Sequence, residues 1–145
     1  MVGRVLFGGF FFIASFNHFT KTEQMAQYAS SHGVTGASGW VVFTGLMLLA
    51  GGLSVLLGLA PRIGLAVLVL FLLPVSFIMH NFWAESGEQA MTDMMNFMKN
   101  IALAGGALGL MALRVPWAIS VDEAIHRKYP EWDRWTGFIP PAAQH

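Results

Sequence analysis

The sequence predicts an all-α integral membrane protein, a four-helix transmembrane bundle, in a chain of 145 residues. Apolar residues make up 55% of the chain and charged residues only 11%, and the mean hydropathy is +0.58, far from the averages of a soluble domain. A soluble four-helix bundle would carry a polar residue in every turn, whereas the runs 46–57 and 63–75 contain almost none. The apolar runs are therefore expected to face lipid.

Four apolar runs are long enough to cross the hydrocarbon core, which takes about 20 residues of helix. They cover residues 2–19, 40–60, 63–82 and 94–113, and together they define a transmembrane domain at 1–114. Pro61 and Arg62 predict a tight turn between the second and third runs. Pro74 predicts a kink within the third run, because proline removes one backbone hydrogen bond.

Positively charged residues near the spans predict the orientation, since lysine and arginine resist translocation. On one side of the membrane lies Lys21, together with Lys99 inside the fourth run. The other side carries a larger set: Arg4, Arg62, Arg114, Arg127, Lys128 and Arg134. Both termini are therefore expected in the cytoplasm.

Two segments outside the apolar runs predict short helices. Thr22 has the position of an N-cap, and the helix that follows over 23–29 ends at Gly33. Residues 120–123 have the spacing of a capping box and open a helix to about Lys128. The tail, 115–145, is expected along the cytoplasmic membrane surface, anchored by its aromatic residues: Trp117, Tyr129, Trp132 and Trp135.

Charge and cysteine content exclude several functions. Eight basic residues balance eight acidic ones, so no basic field favours nucleic acid as a partner. The chain has no cysteine, which excludes disulfides, thiolate nucleophiles and cysteine-based metal clusters. Redox chemistry would need a bound cofactor or another subunit.

A polar cluster is predicted at the outer end of the bundle. At 1.5 Å per residue, His18 lies about 21 Å from Arg4, His80 about 27 Å from Arg62 and Lys99 about 22 Å from Arg114. These three residues therefore share one level in the outer leaflet. The cluster at that level contains Asn17, His18, His80, Asn81, Asp93, Asn96, Lys99 and Asn100.

The residues expected to bind a ligand or to handle protons in this cluster are Lys99, His18, His80, Asn81, Asn100 and Asn17. Lys99 is the leading candidate because an intramembrane charge is costly without a partner or a task. It would donate to an anionic or quinoid oxygen, with His18 or His80 as the proton carrier. No residue is assigned a catalytic role.

Plainer interpretations of the same residues stay open. Lys99 could reach the outer head groups or pair with a carboxylate at Asp93, Glu85 or Glu88. A lone histidine at a span end is more often an interfacial hydrogen-bonding residue, and nothing beyond the shared level of His18 and His80 indicates haem. No metal site is predicted, because only Asp93 could add a third ligand.

Glycines on the fourth run predict close helix packing. Gly105 and Gly109 form a GxxxG pair, and Gly106 adds a further small site. Packing within this bundle is the favoured interpretation. Self-association or docking to another subunit is the alternative.

Several motifs resemble those of the DoxX family of small bacterial membrane proteins over residues 1–125. They are the opening 3–7, the loop stretch 24–29 with Gly33-Val34, the run 97–106 and the tail motif 120–122. The resemblance implies four helices in the bacterial inner membrane and, for some members, a link to quinone reduction or to redox complexes. The resemblance assigns no catalytic residue to this chain.

Two hypotheses follow from the polar cluster and the resemblance. The first is a membrane subunit of a quinone-linked redox system, with quinone as the ligand of a polar pocket near the outer face. The second is a non-catalytic accessory or assembly subunit of a larger membrane complex. The expected partners are the lipid bilayer and either other membrane subunits or further copies of this chain. A small transporter ranks lower, because the four runs show no clear inverted repeat.

Overall fold

The computed structural model describes residues 1–129, and this part of the chain consists of helices joined by short turns and loops, without a strand. Four long helices and two short ones follow each other, with a 3₁₀ turn at Phe82–Ala84. The helices are α1 (Val2–Thr20), α2 (Thr22–Ser31), α3 (Ala37–Leu57), α4 (Pro61–Met79), α5 (Gly87–Met111) and α6 (Val121–Lys128). The prediction of an all-α fold is confirmed.

The long helices pack in the order α1, α3, α4, α5, each along the next. All four contribute to one apolar core, which consists of Phe11, Leu48, Val55, Leu65, Leu68, Leu72, Ala104 and Ala107. Helix α2 lies at the end of the bundle where α1 stops, and α6 lies at the opposite end. We call these the α2 end and the α6 end.

Three helical segments are long and apolar enough to cross a membrane: Val2–Thr20, Ala37–Leu57 and Pro61–Ala84. Their outer faces expose large apolar side chains, such as Leu6, Ile13, Leu46 and Leu70, which only lipid or another apolar partner can cover. The fourth predicted run falls on α5, which has the length but is the most polar of the four long helices. A fourth span at 94–113 stays a prediction.

The turn between α3 and α4 lies three residues earlier than the sequence predicted. Gly58 ends α3 in the left-handed conformation (φ 65°), which glycine adopts without steric cost, and its N–H donates to the carbonyl of Val55. The turn therefore covers residues 58–60, and Pro61 is the first residue of α4, where its missing N–H costs nothing. Helix α4 then continues through Pro74 to Met79.

The predicted helix of the first loop is confirmed as α2. Ala26 and Ala29 bury their side chains against Ala37 and Val41 at the start of α3, so α2 lies across the end of the bundle. The N-cap is Lys21 and not Thr22, whose hydroxyl donates to the carbonyl of His18 at 2.5 Å.

The predicted capping box is confirmed at the start of α6, where the N–H of Glu123 donates to Ser120 Oγ at 3.1 Å. Asp122 holds this helix on the bundle, because its carboxylate accepts from the N–H of Ala60 at 2.9 Å. Arg4 of α1 donates to the carbonyl of Ile119 at 2.7 Å. The predicted aromatic anchors Trp132 and Trp135 lie outside the described residues.

Close backbone packing occurs between α1 and α3, at Gly8 and Gly52. A Cβ at Gly8 would lie 2.6 Å from the backbone nitrogen of Leu56, and one at Gly52 would lie 2.6 Å from that of Phe12. A Cβ on Gly105 or Gly109 would meet nothing within 4 Å, and one on Gly106 would only touch Phe7 at 3.5 Å. Gly105 and Gly109 therefore lie on the open side of α5, and their packing within this bundle stays a prediction without support from the described residues.

Candidate functional site

A cavity of about 850 Å³ lies at the α2 end of the bundle. The end of α1, the first half of α3 and the second half of α4 form its walls, and α2 with the loop at 33–35 forms its roof. Most of its lining is apolar and includes Met25, Trp40, Phe43, Met47, Leu70, Phe71, Pro74 and Ile78. A cavity of this size with a few polar groups has the character of a small-molecule site.

His18 lies on the α1 wall of the cavity and is 8% exposed. Its Nδ1 lies 3.4 Å from the carbonyl of Ala14 one turn earlier, and its ring meets the edge of Phe71 with centroids 6.0 Å apart. The carbonyl favours the tautomer with a proton on Nδ1. His18 Nε2 has no hydrogen bond within residues 1–129, so it can accept one from a ligand.

His80 follows the last residue of α4 and lines the opposite side of the cavity. Its Nδ1 donates to Oδ1 of Asp93 at 3.1 Å, which joins the end of α4 to the first turns of α5. Asp93 is 1% exposed, so the carboxylate is held away from water. A buried carboxylate on Nδ1 fixes the tautomer and the orientation of the imidazole.

Asp93 accepts two further hydrogen bonds. Gln89 Nε2 donates to Oδ2 at 2.8 Å from one turn earlier on α5, and the Tyr28 hydroxyl of α2 lies 3.4 Å from Oδ1. The same hydroxyl is 3.2 Å from the carbonyl of Met79. One carboxylate therefore connects the roof helix, α4 and α5.

The electrostatics of this network keep Asp93 ionised. Burial alone would raise the pKa of Asp93, which lies just before the predicted span at 94–113, but the hydrogen bonds from Gln89 and His80 outweigh burial and lower it. Burial and the nearby Asp93 charge raise the pKa of Tyr28. Tyr28 therefore stays a neutral donor beside a carboxylate anion.

The structure brings together only two of the six residues predicted to bind a ligand, the histidines His18 and His80. Lys99 does not line the cavity; it is exposed, and its amino group donates to Asn96 Oδ1 one turn earlier on the same helix at 2.9 Å. The cavity therefore gives no support to the predicted ligand role of Lys99, because a shared level on three helices does not give a shared face.

The three predicted asparagines also lie outside the cavity lining. Asn17 is exposed on α1, and Asn100 is buried on α5 at 8% exposure. Asn81 is half-buried directly after His80, and its Oδ1 is buried without a hydrogen bond in the described part of the chain. Their ligand roles stay predictions without support from this cavity.

Sequence reasoning placed Asp93 in the polar cluster but did not pair it with His80, and it missed Tyr28 and Gln89. A signal for the buried face of α5 was present: Asp93, Asn100 and Ala107 recur every seven residues, and all three are buried. Lys99 precedes Asn100 by one residue, about 100° around the helix.

Within residues 1–129, no three His, Asp or Glu side chains are placed to hold a metal ion together. The chemistry that the site supports is proton handling beside an apolar ligand. Two imidazoles present an Nε2 atom, and one of them is backed by a carboxylate anion. Such a group can donate a proton to, or accept one from, a ligand oxygen.

Apolar helices with lipid-facing outer surfaces, around a cavity roofed by a short helix, define an integral membrane protein with an internal ligand-sized site. The family model of DoxX matches residues 1–81, and the chain belongs to this family. It is similar to the inner membrane protein YphA of Escherichia coli K12, with 26% identity over 122 residues that cover 84% of this chain and 86% of YphA. No solved structure matches. The chain is a multi-pass protein of the inner membrane.

Proposed function

We propose that this protein is the membrane subunit of a quinone-linked redox system, and that its cavity binds the quinone head group between His18 and His80. The observation that carries the proposal is the His80–Asp93 pair, because it presents an oriented imidazole to an apolar cavity inside a membrane protein.

The chemistry of a quinone fits this lining. A quinone is a flat apolar ring with two carbonyl oxygens, and each oxygen takes up one proton when two electrons reduce the ring to a quinol. His80 with Asp93 supplies a proton donor on one wall, and His18 offers a second polar contact on the other. Phe71 and Trp40 provide aromatic surface for the ring. The chain has no cysteine to carry the electrons, so the proposal assigns their supply to a redox-active partner protein.

The proposed topology has four spans, with residues 94–113 of α5 as the fourth and both termini in the cytoplasm. The positive charges near the α6 end support this orientation. The α2 end then faces outward, and the cavity lies in the outer leaflet, as expected for a site near the outer face.

Quinone titration of the purified protein in lipid nanodiscs tests the proposal, with quenching of tryptophan fluorescence as the readout. We expect the unmodified protein to bind ubiquinone or menaquinone, and His80→Leu to bind it about tenfold more weakly or worse. Lys99→Leu is the matched control and should bind normally, because its side chain lies outside the cavity. Equal affinity in the unmodified protein and His80→Leu would contradict the proposal.

An accessory or assembly role is the second candidate, and the open side of α5 favours it. Gly105 and Gly109 leave room for a helix to approach closely, and no described part of this chain occupies that room. Native mass spectrometry of the protein extracted in mild detergent tests this role. A stable larger complex supports it, and a chain that runs alone contradicts it.

A further inference from the structure

Helix α2 covers the cavity at the α2 end of the bundle. Met25, Tyr28 and Ala29 of α2 line it from above, and α2 is fixed to α3 by the apolar cluster around Ala26. The Tyr28 hydroxyl ties the same helix to the carbonyl of Met79 on α4. The lining at this end includes the exposed side chains of Lys21 and Gln24, so an apolar ligand that entered here would have to pass polar groups.

The cavity is closed toward the α6 end, because glycines bring α3 and α4 together there. A Cβ on Gly51 would lie 2.8 Å from Leu68 and 3.1 Å from the carbonyl oxygen of Gly64. A Cβ on Gly64 would overlap the side chain of Ser54. No space remains between the two helices at this level.

Between these two ends, larger side chains face each other across α3 and α4. Phe43 and Met47 of α3 and Leu70, Pro74 and Ile78 of α4 all line the cavity. Phe43, Leu70 and Ile78 are nevertheless 52%, 65% and 48% exposed, so this side of the cavity is not sealed. The exposed lining from Leu70 to Ile78 extends about 12 Å along α4, within an apolar candidate span.

We propose that the cavity is loaded sideways from the bilayer, through the opening between α3 and α4, and that it takes quinones with a long isoprenoid tail. The inference rests on the proposed quinone site. The ring enters between the two helices and reaches His18 and His80, and the tail remains in the opening beside Met47 and Leu70. Lipid is the only reservoir that meets this opening, so the ligand is a membrane-soluble molecule and not a solute.

Two quinones with the same head group test the inference, one with a long isoprenoid tail and one without a tail. Met47→Trp fills the opening from α3, and Leu46→Trp is the matched control because Leu46 is exposed on the same helix but does not line the cavity. We expect Met47→Trp to weaken equilibrium binding of the long-tailed quinone about tenfold, because the indole takes the place of the tail in the opening, with little change for the tail-less one. Leu46→Trp should bind both quinones normally.

The outcomes separate this inference from the quinone site itself. If Met47→Trp weakens both quinones equally, or neither, sideways loading is overturned while the quinone site stands. If the unmodified protein binds neither quinone, the quinone site and the loading route both fail. Leu70→Trp fills the opening from α4 and replaces Met47→Trp if that variant loses its helical content; it must show the same selective effect.

Discussion

His80 and Asp93 lie on opposite sides of the 3₁₀ turn at Phe82–Ala84, and Nδ1 of His80 donates to the Asp93 carboxylate at 3.1 Å. This contact fixes the end of α4 against the start of α5 and points one imidazole toward the cavity. Since Tyr28 also reaches the carboxylate, the geometry of the roof depends on the same residue.

The Asp93 network predicts a pH-dependent stability. The folded state lowers the pKa of Asp93, so its contribution is present above the ordinary aspartate pKa of about 4 and is lost as the pH falls through the lower folded-state value. We expect the melting temperature to fall more between pH 6 and about pH 3 in the unmodified protein than in Asp93→Asn. Parallel profiles for the two proteins would count against an ionised, hydrogen-bonded Asp93.

The contact between α1 and α3 predicts different effects for two neighbouring glycines. Gly8→Ala places a methyl group 2.6 Å from the backbone nitrogen of Leu56, whereas a Cβ at Gly9 meets nothing within 4 Å. Gly8→Ala should lower the free energy of unfolding by about 1–3 kcal/mol, as overpacked sites do, and Gly9→Ala should leave it nearly unchanged. Equal stabilities in a denaturant titration in detergent would show that the two helices do not approach at Gly8.

The attachment of α6 predicts local protection at the turn between α3 and α4. In Asp122→Ala, the N–H of Ala60 loses its acceptor at 2.9 Å, and α6 should detach more often. Hydrogen exchange should then speed up at Ala60 and across α6, with no change in α2 at the far end. Asp122→Asn keeps a side-chain acceptor, so its exchange rates should lie between those of the unmodified protein and Asp122→Ala. Unchanged exchange in Asp122→Ala would refute this attachment.

The proposed topology predicts where single cysteines react, and the cysteine-free chain gives a clean background. Ser30→Cys on the exposed side of α2 should react with a membrane-impermeant maleimide in cells whose outer membrane is permeabilised. Gly3→Cys and Lys128→Cys, near the two ends, should react only after the inner membrane is opened. Reaction of Lys128→Cys from outside, with Gly3→Cys protected, would mean three spans instead of four.

The sequence was sufficient for much of the fold because local physical signals dominate it. Apolar runs gave α1, α3 and α4 to within a few residues, and the capping box at Ser120 gave α6. The predicted position of the turn between α3 and α4 was less accurate. Both Gly58 and Pro61 are turn signals, and the chain turns at the left-handed Gly58.

The candidate site was only partly predictable, for a reason that Lys99 illustrates. Helix rise gives the depth of a residue, but the direction of its side chain depends on which face of the helix packs. His18 and His80 face the cavity, while Lys99 and Asn17 share their predicted level and face elsewhere. The bond between His80 and Asp93 depends on how the chain turns between α4 and α5, and no local pattern encodes that path.

The most direct test of the quinone site is the ¹⁵N NMR signal of His80 Nε2 in selectively labelled protein, recorded while quinone is added. We expect this signal to shift as the quinone oxygen binds, and the signal of His126 at the α6 end to stay in place. A redox-inactive lipid of similar tail length, added in place of the quinone, should leave the His80 signal unmoved. The quinone head group would then be the cause of the shift. A His80 signal that does not move at saturating quinone would contradict the proposed site.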